Sequence, residues 1–179
     1  FYDKTHWDSL MYLLGYLKRT RTQKLYYMKR SDAGLQVYSD ADYGSMKYDR
    51  ASVAGYMITF NDCPISWNTS KQKSIARSTS ESETYALSMS LSEIIYLSRL
   101  YTYITIPEAE NLQKPIIYSD NTQLLSHIRD GATASNKHYD IIWKALQSYT
   151  KEFKLKYIDT AMNIADLLTK SLTLNRITH

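Results

Sequence analysis

The chain has 179 residues, of which 44% are hydrophobic and 13% aromatic, and its formal net charge is +4. This length fits one domain with an appended segment, and a content of three Pro and five Gly argues against a disordered or fibrous chain. The mildly basic charge favours a polyanionic partner.

Several classes of protein are excluded by what the sequence does not contain. The single cysteine, Cys63, rules out a disulfide framework and any zinc site made of several cysteines. No apolar run approaches the roughly 18 residues that a membrane helix needs, and charged residues at 3 and 4 interrupt the start where a secretory leader would lie. We therefore expect an intracellular protein with no membrane partner.

The first predicted element is a helix over 5–19, where apolar residues recur at steps of three and four: Trp7, Leu10, Met11, Leu14 and Leu17. The following stretch, from Thr20 to Gly34, is basic and polar. We interpret residues 1–34 as an N-terminal helix with a basic linker.

Three strands are predicted next, over 34–44, 55–62 and 63–68, and the last two are joined by a tight turn at Asn61 and Asp62. Short connections of this kind indicate a three-stranded antiparallel meander over 35–67.

The pattern then changes to helices that alternate with strands. The predicted order is a helix over 79–103, a strand over 115–120, a helix over 121–129, a turn over 131–136, a helix over 138–153, a strand over 154–159 and a helix over 163–172. A meander followed by crossovers implies an α/β fold, with a mixed sheet and helices on its faces. The predicted domain covers 35–172, and 173–179 form a C-terminal tail.

Two of the predicted strands end in the same three residues. Tyr38-Ser39-Asp40 and Tyr118-Ser119-Asp120 each follow an apolar run. If these strands are parallel neighbours, Asp40 and Asp120 face one another across roughly 5 Å. Carboxylates so close repel unless a cation lies between them, and hard divalent cations prefer oxygen ligands.

Glu83 is a candidate for a third ligand because it lies in the first turn of the helix over 79–103. A structural explanation stays open, because Ser80 and Glu83 fit a capping box, as do Ser78 and Glu81.

Asp166, in the first turn of the last predicted helix, is a candidate for a fourth ligand. It too has a structural alternative, in which Asn163 is the N-cap and the acid at the third position favours the helix dipole. Asp120 has one as well, since it could cap the helix that follows it.

Seven stretches, in order and at consistent spacing, resemble the ribonuclease H domain of Ty1/copia-type retrotransposon polyproteins: YSDAD (38–42), SVAGYMITF (52–60), CPISWNTSKQ (63–72), STSESETYALS (78–88), IIYSDNT (116–122), NKHYDI (136–141) and NIADLLTKSL (163–172). The stretch THWDSLMYLLGYLKRT (5–20) is similar to the segment that joins reverse transcriptase to ribonuclease H in those polyproteins.

The resemblance implies a ribonuclease H-like fold, with a five-stranded sheet made of the meander and two parallel strands. It places the catalytic acids and metal ligands at Asp40, Glu83, Asp120 and Asp166. These acids would hold two Mg²⁺ or Mn²⁺ ions for endonucleolytic hydrolysis of the RNA strand of an RNA–DNA hybrid.

The resemblance also implies where the chain works. Its expected partners are the hybrid and the reverse transcriptase domain of the same polyprotein. The expected location is the cytoplasm, within a virus-like particle, or the nucleus.

The sequence departs from the family pattern at Ser82, Thr84 and Ser171, where Ala, Tyr and Pro are usual. His138 and Asp140 match the family's Lys-His-x-Asp motif, although the role of His138 is left open between catalysis and a helix start.

Three basic residues, Lys71, Lys73 and Arg77, are candidates for phosphate contact, although for each of them alone a solvated surface charge is the favoured explanation. Two other functions also remain open. The domain could be catalytically silent and serve as a structural or assembly element of a polymerase, or it could be a DNA nuclease of the same fold.

Overall fold

The computed structural model describes residues 2–27, 34–46, 48–104, 113–131 and 137–171, and at 137 and 138 the backbone alone. Its elements in chain order are α1 (Lys4–Thr20), β1 (Leu35–Asp42), β2 (Val53–Phe60), β3 (Cys63–Lys71), α2 (Thr79–Ile104), β4 (Ile116–Ser119), α3 (Thr122–Asp130), α4 (Lys137–Ser148), β5 (Lys154–Tyr157), a 3-10 helix (Thr160–Met162) and α5 (Asp166–Thr169). Residues 28–33 of the predicted linker, most of the turn predicted at 131–136 and the tail at 173–179 lie outside these residues.

Within the described residues, five strands form one mixed sheet in the order β3-β2-β1-β4-β5. The pairs β1–β2 and β2–β3 are antiparallel, whereas β1–β4 and β4–β5 are parallel. The predicted meander with two parallel strands is confirmed. Asn61 and Asp62, between β2 and β3, have φ angles of 54° and 63°. Positive φ at both positions gives a two-residue turn whose twist matches that of the strands.

The core lies between the sheet and the helices. α2 packs on β1 and β2 and also contacts α3 and α4. Apolar side chains from every layer are almost fully buried there: Val37, Ile58, Leu87, Ile94, Ile117, Leu124, Ile128, Leu146 and Phe153. These residues follow a period of two in the strands and about 3.6 in the helices, as the sequence pattern predicts. The strand ends that carry the candidate ligands are thereby fixed to a rigid base.

The predicted N-terminal helix is confirmed as α1, which begins after Asp3, whose side chain accepts hydrogen bonds from the backbone N–H groups of Thr5 and His6. None of the described residues of α1 is buried. The described part of the linker contacts the sheet, because Tyr27 Oη donates to the carbonyl of Pro64 at 3.0 Å. No described helix is both long and apolar enough to cross a membrane.

Several predicted boundaries differ from the structure. β1 ends at Asp42, within the strand predicted over 34–44, so Asp40 lies inside the strand and not at its end, where the repeated Tyr-Ser-Asp segments placed it. α4 ends at Ser148 instead of at Phe153, because the chain turns from there into β5. The last helix is α5, with four residues, and not the helix predicted over 163–172.

Candidate metal centre

The two Tyr-Ser-Asp segments are aligned in the sheet. Tyr38 of β1 is in register with Tyr118 of the parallel strand β4. Their rings stack with centroids 5.0 Å apart and an angle of 17° between their planes. Asp40 and Asp120 each lie two residues further on, so parallel pairing brings both carboxylates to the same edge of the sheet.

Glu83 completes a cluster at this edge. One carboxylate oxygen from each of Asp40, Glu83 and Asp120 lies within 4.8 Å of the others. Asp40 and Glu83 are buried, with 1% and 8% of their surfaces exposed, and Asp120 is partly exposed. The structure therefore brings three of the four predicted ligands together in direct proximity.

Asp166, the fourth predicted ligand, adjoins the cluster through a lysine. It is 3% exposed and begins α5. Lys170 Nζ lies 2.9 Å from Asp166 Oδ1 and 3.1 Å from Asp40 Oδ1. Asp166 thus faces the same site, although it is not one of the three mutually close carboxylates.

The structure decides between the two capping boxes that the sequence permits. The backbone N–H of Glu81 donates to Ser78 Oγ, and the Glu81 carboxylate accepts from the N–H of Arg77 at 2.7 Å. Ser78 and Glu81 therefore cap α2. Ser80 Oγ and Glu83 Oε2 are buried and have no hydrogen-bond partner within the part of the chain that the structure describes. Glu83 is therefore not used as a cap.

The structural alternative for Asp120 is not realised, and the one for Asp166 is realised only in part. Asn121, and not Asp120, caps α3, since its side chain accepts from the N–H of Leu124 at 2.9 Å. Asp120 Oδ2 instead accepts from Thr160 Oγ1 at 2.9 Å. Ala165, and not Asn163, is the N-cap of α5. Asn163 Oδ1 nevertheless accepts from the N–H of Ala165 at 3.2 Å, and Asp166 lies in the first turn of α5.

The electrostatics of the cluster are those of crowded, buried acids. Burial, together with the charges of Asp40 and Asp120, raises the pKa of Glu83 from 4.5 to about 9. Burial also raises the pKa of Asp166, against a hydrogen bond from Lys170 that lowers it. Burial alone would lower the pKa of Lys170, but its hydrogen bonds and the charges of Asp166 and Asp40 outweigh that effect and raise it. The site thus favours either a proton or a cation among its carboxylates.

The donor set fits a hard divalent cation. It consists of carboxylate oxygens, which suit Mg²⁺ and Mn²⁺, with no thiol or imidazole ligand among the described residues of the cluster. The buried Glu83 Oε2 lacks a hydrogen-bond partner within the described chain, a deficiency that a bound cation would remove.

Comparison with known proteins relates the chain to polyproteins of transposons. No protein-family model matches the chain. It is 31% identical over 176 residues to the retrovirus-related Pol polyprotein from transposon TNT 1-94 of Nicotiana tabacum, a match that covers 97% of this chain and 13% of that polyprotein. It is 29% identical over 171 residues to the corresponding polyprotein from transposon RE2 of Arabidopsis thaliana, covering 94% of this chain and 12% of the relative. The chain is homologous to retrovirus-related Pol polyproteins of transposons.

This homology confirms the resemblance found in the sequence. The similarity extends to a Ty1 Gag-Pol polyprotein of Saccharomyces cerevisiae, with 26% identity over 176 residues, 92% of this chain and 10% of that polyprotein. The chain spans between 10% and 13% of the length of these Pol polyproteins.

Solved ribonuclease H structures share the fold. RNase H1 from Halobacterium salinarum superposes with a TM-score of 0.54 at 11% identity, covering 75% of this chain and 93% of that one. The N-terminal RNase H domain of a Mycobacterium tuberculosis protein gives a TM-score of 0.56 at 12% identity, and the match covers 76% of this chain and 91% of that one. LC11-RNase H1, solved in complex with an RNA/DNA hybrid, gives a TM-score of 0.54 at 10% identity. That match covers 75% of this chain and 93% of LC11-RNase H1. The Pol-related chain therefore has the predicted ribonuclease H-like fold.

Two polar residues of the site belong to the stretch NIADLLTKSL (163–172), but the sequence analysis assigns them no role in the site. Thr169 Oγ1 donates a hydrogen bond to Asp40 Oδ2, and Lys170 binds Asp40 Oδ1. The sequence does hold a signal for the lysine, because Lys170 follows Asp166 by four residues, a spacing at which opposite charges pair on a helix.

The other residues singled out in the sequence lie elsewhere. Asp140 pairs with Lys144 at 2.6 Å on α4, and the side chain of His138 is outside the described residues. Lys71 pairs with Asp49 at the end of β3, as expected of a surface charge. Lys73 and Arg77 are exposed between β3 and α2.

Gly55 allows α5 to lie close to the carboxylate cluster. It pairs with Asp40 across the sheet, and a Cβ added there would lie 2.9 Å from Leu168 Cβ and 3.0 Å from Thr169 Cγ2. We expect Gly55→Ala to push α5 away from β1 and to lower the free energy of unfolding by about 1–3 kcal/mol. Chemical denaturation would measure this change.

The matched control is Gly15→Ala in α1, where an added Cβ meets nothing within 4 Å. This substitution should be neutral or stabilising by up to about 1 kcal/mol, because Ala favours a helix over Gly. Equal stabilities for the two variants would contradict the assigned packing of α5.

Proposed function

We propose that the chain is a ribonuclease H that cleaves the RNA strand of RNA–DNA hybrids endonucleolytically. The observation that carries this proposal is the cluster of Asp40, Glu83 and Asp120, whose carboxylates lie within 4.8 Å of one another in a ribonuclease H-like fold. Structural acids do not need such proximity, which costs free energy through repulsion when no cation or proton is present.

The four acids Asp40, Glu83, Asp120 and Asp166 would hold two Mg²⁺ or Mn²⁺ ions. Such ions, when bound, supply an activated water for in-line attack on the scissile phosphate and stabilise the leaving 3′-oxygen. Carboxylates of this kind act as ligands, so none of them has to serve as a general base.

The chain's own residues position these ligands and set their charge. Thr160 holds one oxygen of Asp120, and Thr169 holds one oxygen of Asp40. Asn163 donates to the carbonyl of Ser39 at 3.0 Å and so ties the start of the Asp166 segment to β1. Glu83 must release its proton as the site fills, because its pKa is about 9 without a cation.

The proposed substrate follows from the fold and the relatives. LC11-RNase H1 has been solved with an RNA/DNA hybrid, which supports the same class of substrate for this chain. Contacts to 2′-hydroxyl groups and to the shape of the hybrid would select RNA, and basic residues would hold phosphates.

The cellular context is proposed on the same basis. Residues 35–172 would form the catalytic domain, and 1–34 would connect it to the reverse transcriptase domain of the same polyprotein. The domain would then act in the cytoplasm, within a virus-like particle, or in the nucleus.

A cleavage assay tests the proposed function. The chain is incubated with labelled RNA–DNA hybrid, duplex DNA and single-stranded RNA, each with Mg²⁺, with Mn²⁺ and with a chelator. We expect internal cuts in the RNA of the hybrid only, and only with metal. A Glu83→Gln preparation made in parallel controls for contaminating nucleases. Cutting of duplex DNA would instead support a DNA nuclease, and no cutting at saturating metal would support a silent domain.

A further inference from the structure

We propose that Lys170 is an internal counter-ion of the carboxylate cluster. It binds Asp40 and Asp166 in the metal-free protein and leaves them when divalent ions bind, so it sets the metal concentration at which the site fills. This inference rests on the proposed metal-dependent function.

The position of Lys170 is unlike that of a surface lysine. Its ammonium contacts two carboxylates, at 3.1 Å from Asp40 and 2.9 Å from Asp166, whose side chains are only 1% and 4% exposed. The side chain of Lys170 is itself 32% exposed, against 49% for Lys71 and 64% for Lys144, and each of those two lysines pairs with a single, more exposed carboxylate. The charge of Lys170 is therefore poorly screened by water and acts directly on the cluster.

Lys170 and Thr169 together engage both oxygens of Asp40. Lys170 binds Oδ1, and Thr169 Oγ1 donates to Oδ2. A divalent cation at Asp40 would lie about 2.0–2.6 Å from an oxygen of this carboxylate. Because Lys170 Nζ lies 3.1 Å from Oδ1, a cation on that oxygen would be no more than about 6 Å from the ammonium, a distance at which the two positive charges repel.

Lys170 can leave without disturbing the ligands. Its side chain is 32% exposed, and its backbone is extended, with φ −121° and ψ 150°, at the point where α5 has ended. Rotation of its side chain would carry the ammonium into solvent while the buried Asp40 and Asp166 stay in place. The lysine therefore balances the negative charge of the acids before metal binds. It opposes metal binding until the lysine itself is displaced.

This role is tested by measuring the affinity of the 179-residue chain for Mn²⁺. The measurement uses calorimetry at one pH, without nucleic acid. We expect Lys170→Gln to bind Mn²⁺ at least about tenfold more tightly than wild type, because a nearby positive charge has been removed. Lys170→Arg keeps the charge and should bind as weakly as wild type. Lys144→Gln is the matched control, since it removes a lysine paired with Asp140 away from the cluster, and its affinity should be unchanged.

Thermal unfolding of the same variants adds a second readout. Without metal, Lys170→Gln should melt below wild type because the acids lose their counter-ion. Its gain in melting temperature on addition of Mn²⁺ should exceed that of wild type, because tighter binding to the folded state stabilises it more.

Reductive methylation of the wild-type protein keeps the test independent of whether Lys170→Gln folds. Mass spectrometry would compare the methylation rates of Lys170 and Lys144 with and without Mn²⁺. We expect Mn²⁺ to accelerate methylation of Lys170 and to leave that of Lys144 unchanged.

The outcomes separate this inference from the proposed function. If wild type and Lys170→Gln bind Mn²⁺ equally well and methylation of Lys170 does not change, Lys170 is not displaced and the inference is wrong while the metal site stands. If neither protein binds Mn²⁺ at millimolar concentrations, the proposed metal-dependent function fails, and the inference fails with it.

Discussion

Replacing Asp120 with Asn is expected to reduce cleavage of an RNA–DNA hybrid by about 1,000-fold or more, while the melting temperature of the metal-free protein stays within about 2 °C of wild type or rises. The loss of activity follows because a metal ligand carries several kcal/mol of charge stabilisation in the transition state. The stability is kept because Asn can still accept the hydrogen bond from Thr160, and because one repelling charge leaves the cluster. Single-turnover cleavage and calorimetric unfolding would measure the two effects.

The neighbouring residue supplies a control with the opposite outcome. Asn121 caps α3 through its bond to the N–H of Leu124. Asn121→Ala should therefore cost about 1 kcal/mol of stability, or roughly 2–4 °C, and keep most of the activity. If Asp120→Asn is the variant that unfolds early and still cleaves the hybrid, Asp120 has a structural role and the proposed metal centre is wrong.

The alignment of Asp40 with Asp120 was predictable because the positions of both residues in their strands follow from short-range sequence patterns. Each strand carries a run of apolar residues, and the side-chain period of two then fixes which residues share a face. Once the two strands are parallel neighbours, the repeated Tyr-Ser-Asp segments align, as the stacked rings of Tyr38 and Tyr118 show. Asp40 was expected at the end of its strand but lies two residues inside β1, since acidic residues near a strand end do not say where its pairing stops.

The end of α4 could not be read from periodicity. Tyr149 and Phe153 continue the apolar pattern of the helix, and their rings do pack together with centroids 6.2 Å apart. The backbone, however, tightens after Ser148, where the N–H groups of Tyr149 and Thr150 bond to carbonyls three residues back. An apolar residue buries its side chain equally well from a turn, so the pattern alone does not distinguish the two conformations.

The surroundings of Asp166 depend on contacts that are remote in sequence. Asn163 is a residue type that often caps helices, but its side-chain amide also donates to the carbonyl of Ser39, which is 124 positions earlier. Likewise, Glu81 and Glu83 fit two equivalent capping boxes, and only the burial of Glu83 beside Asp40 assigns them different roles. Local sequence thus supplies the candidate ligands, whereas the tertiary fold selects among them.

The stability of the metal-free protein is expected to fall as the pH rises from about 5 to 9. Glu83 has a pKa of about 9 in the folded protein against 4.5 for an unperturbed glutamic acid, so across this range the folded state holds a proton that the unfolded chain has released. Stability from this group is complete below about pH 4.5 and is lost as the pH approaches the folded pKa. The raised pKa of Asp166 acts in the same direction. Thermal unfolding in a chelator at several pH values should show a decrease of several degrees, since 1 kcal/mol corresponds to about 2–4 °C at this chain length.

Two comparisons assign this pH dependence to the metal centre. Glu83→Gln carries no proton that can be released, so its melting temperature should vary much less with pH, whereas Glu81→Gln, which alters the cap of α2 two residues earlier, should keep the wild-type slope. Saturating Mg²⁺ should also flatten the wild-type profile, because a cation in place of the proton leaves Glu83 ionised in both the folded and the unfolded state. A wild-type profile that is already flat in the chelator would mean that Glu83 is ionised without metal, and the crowded, largely buried carboxylate cluster would then not exist in solution.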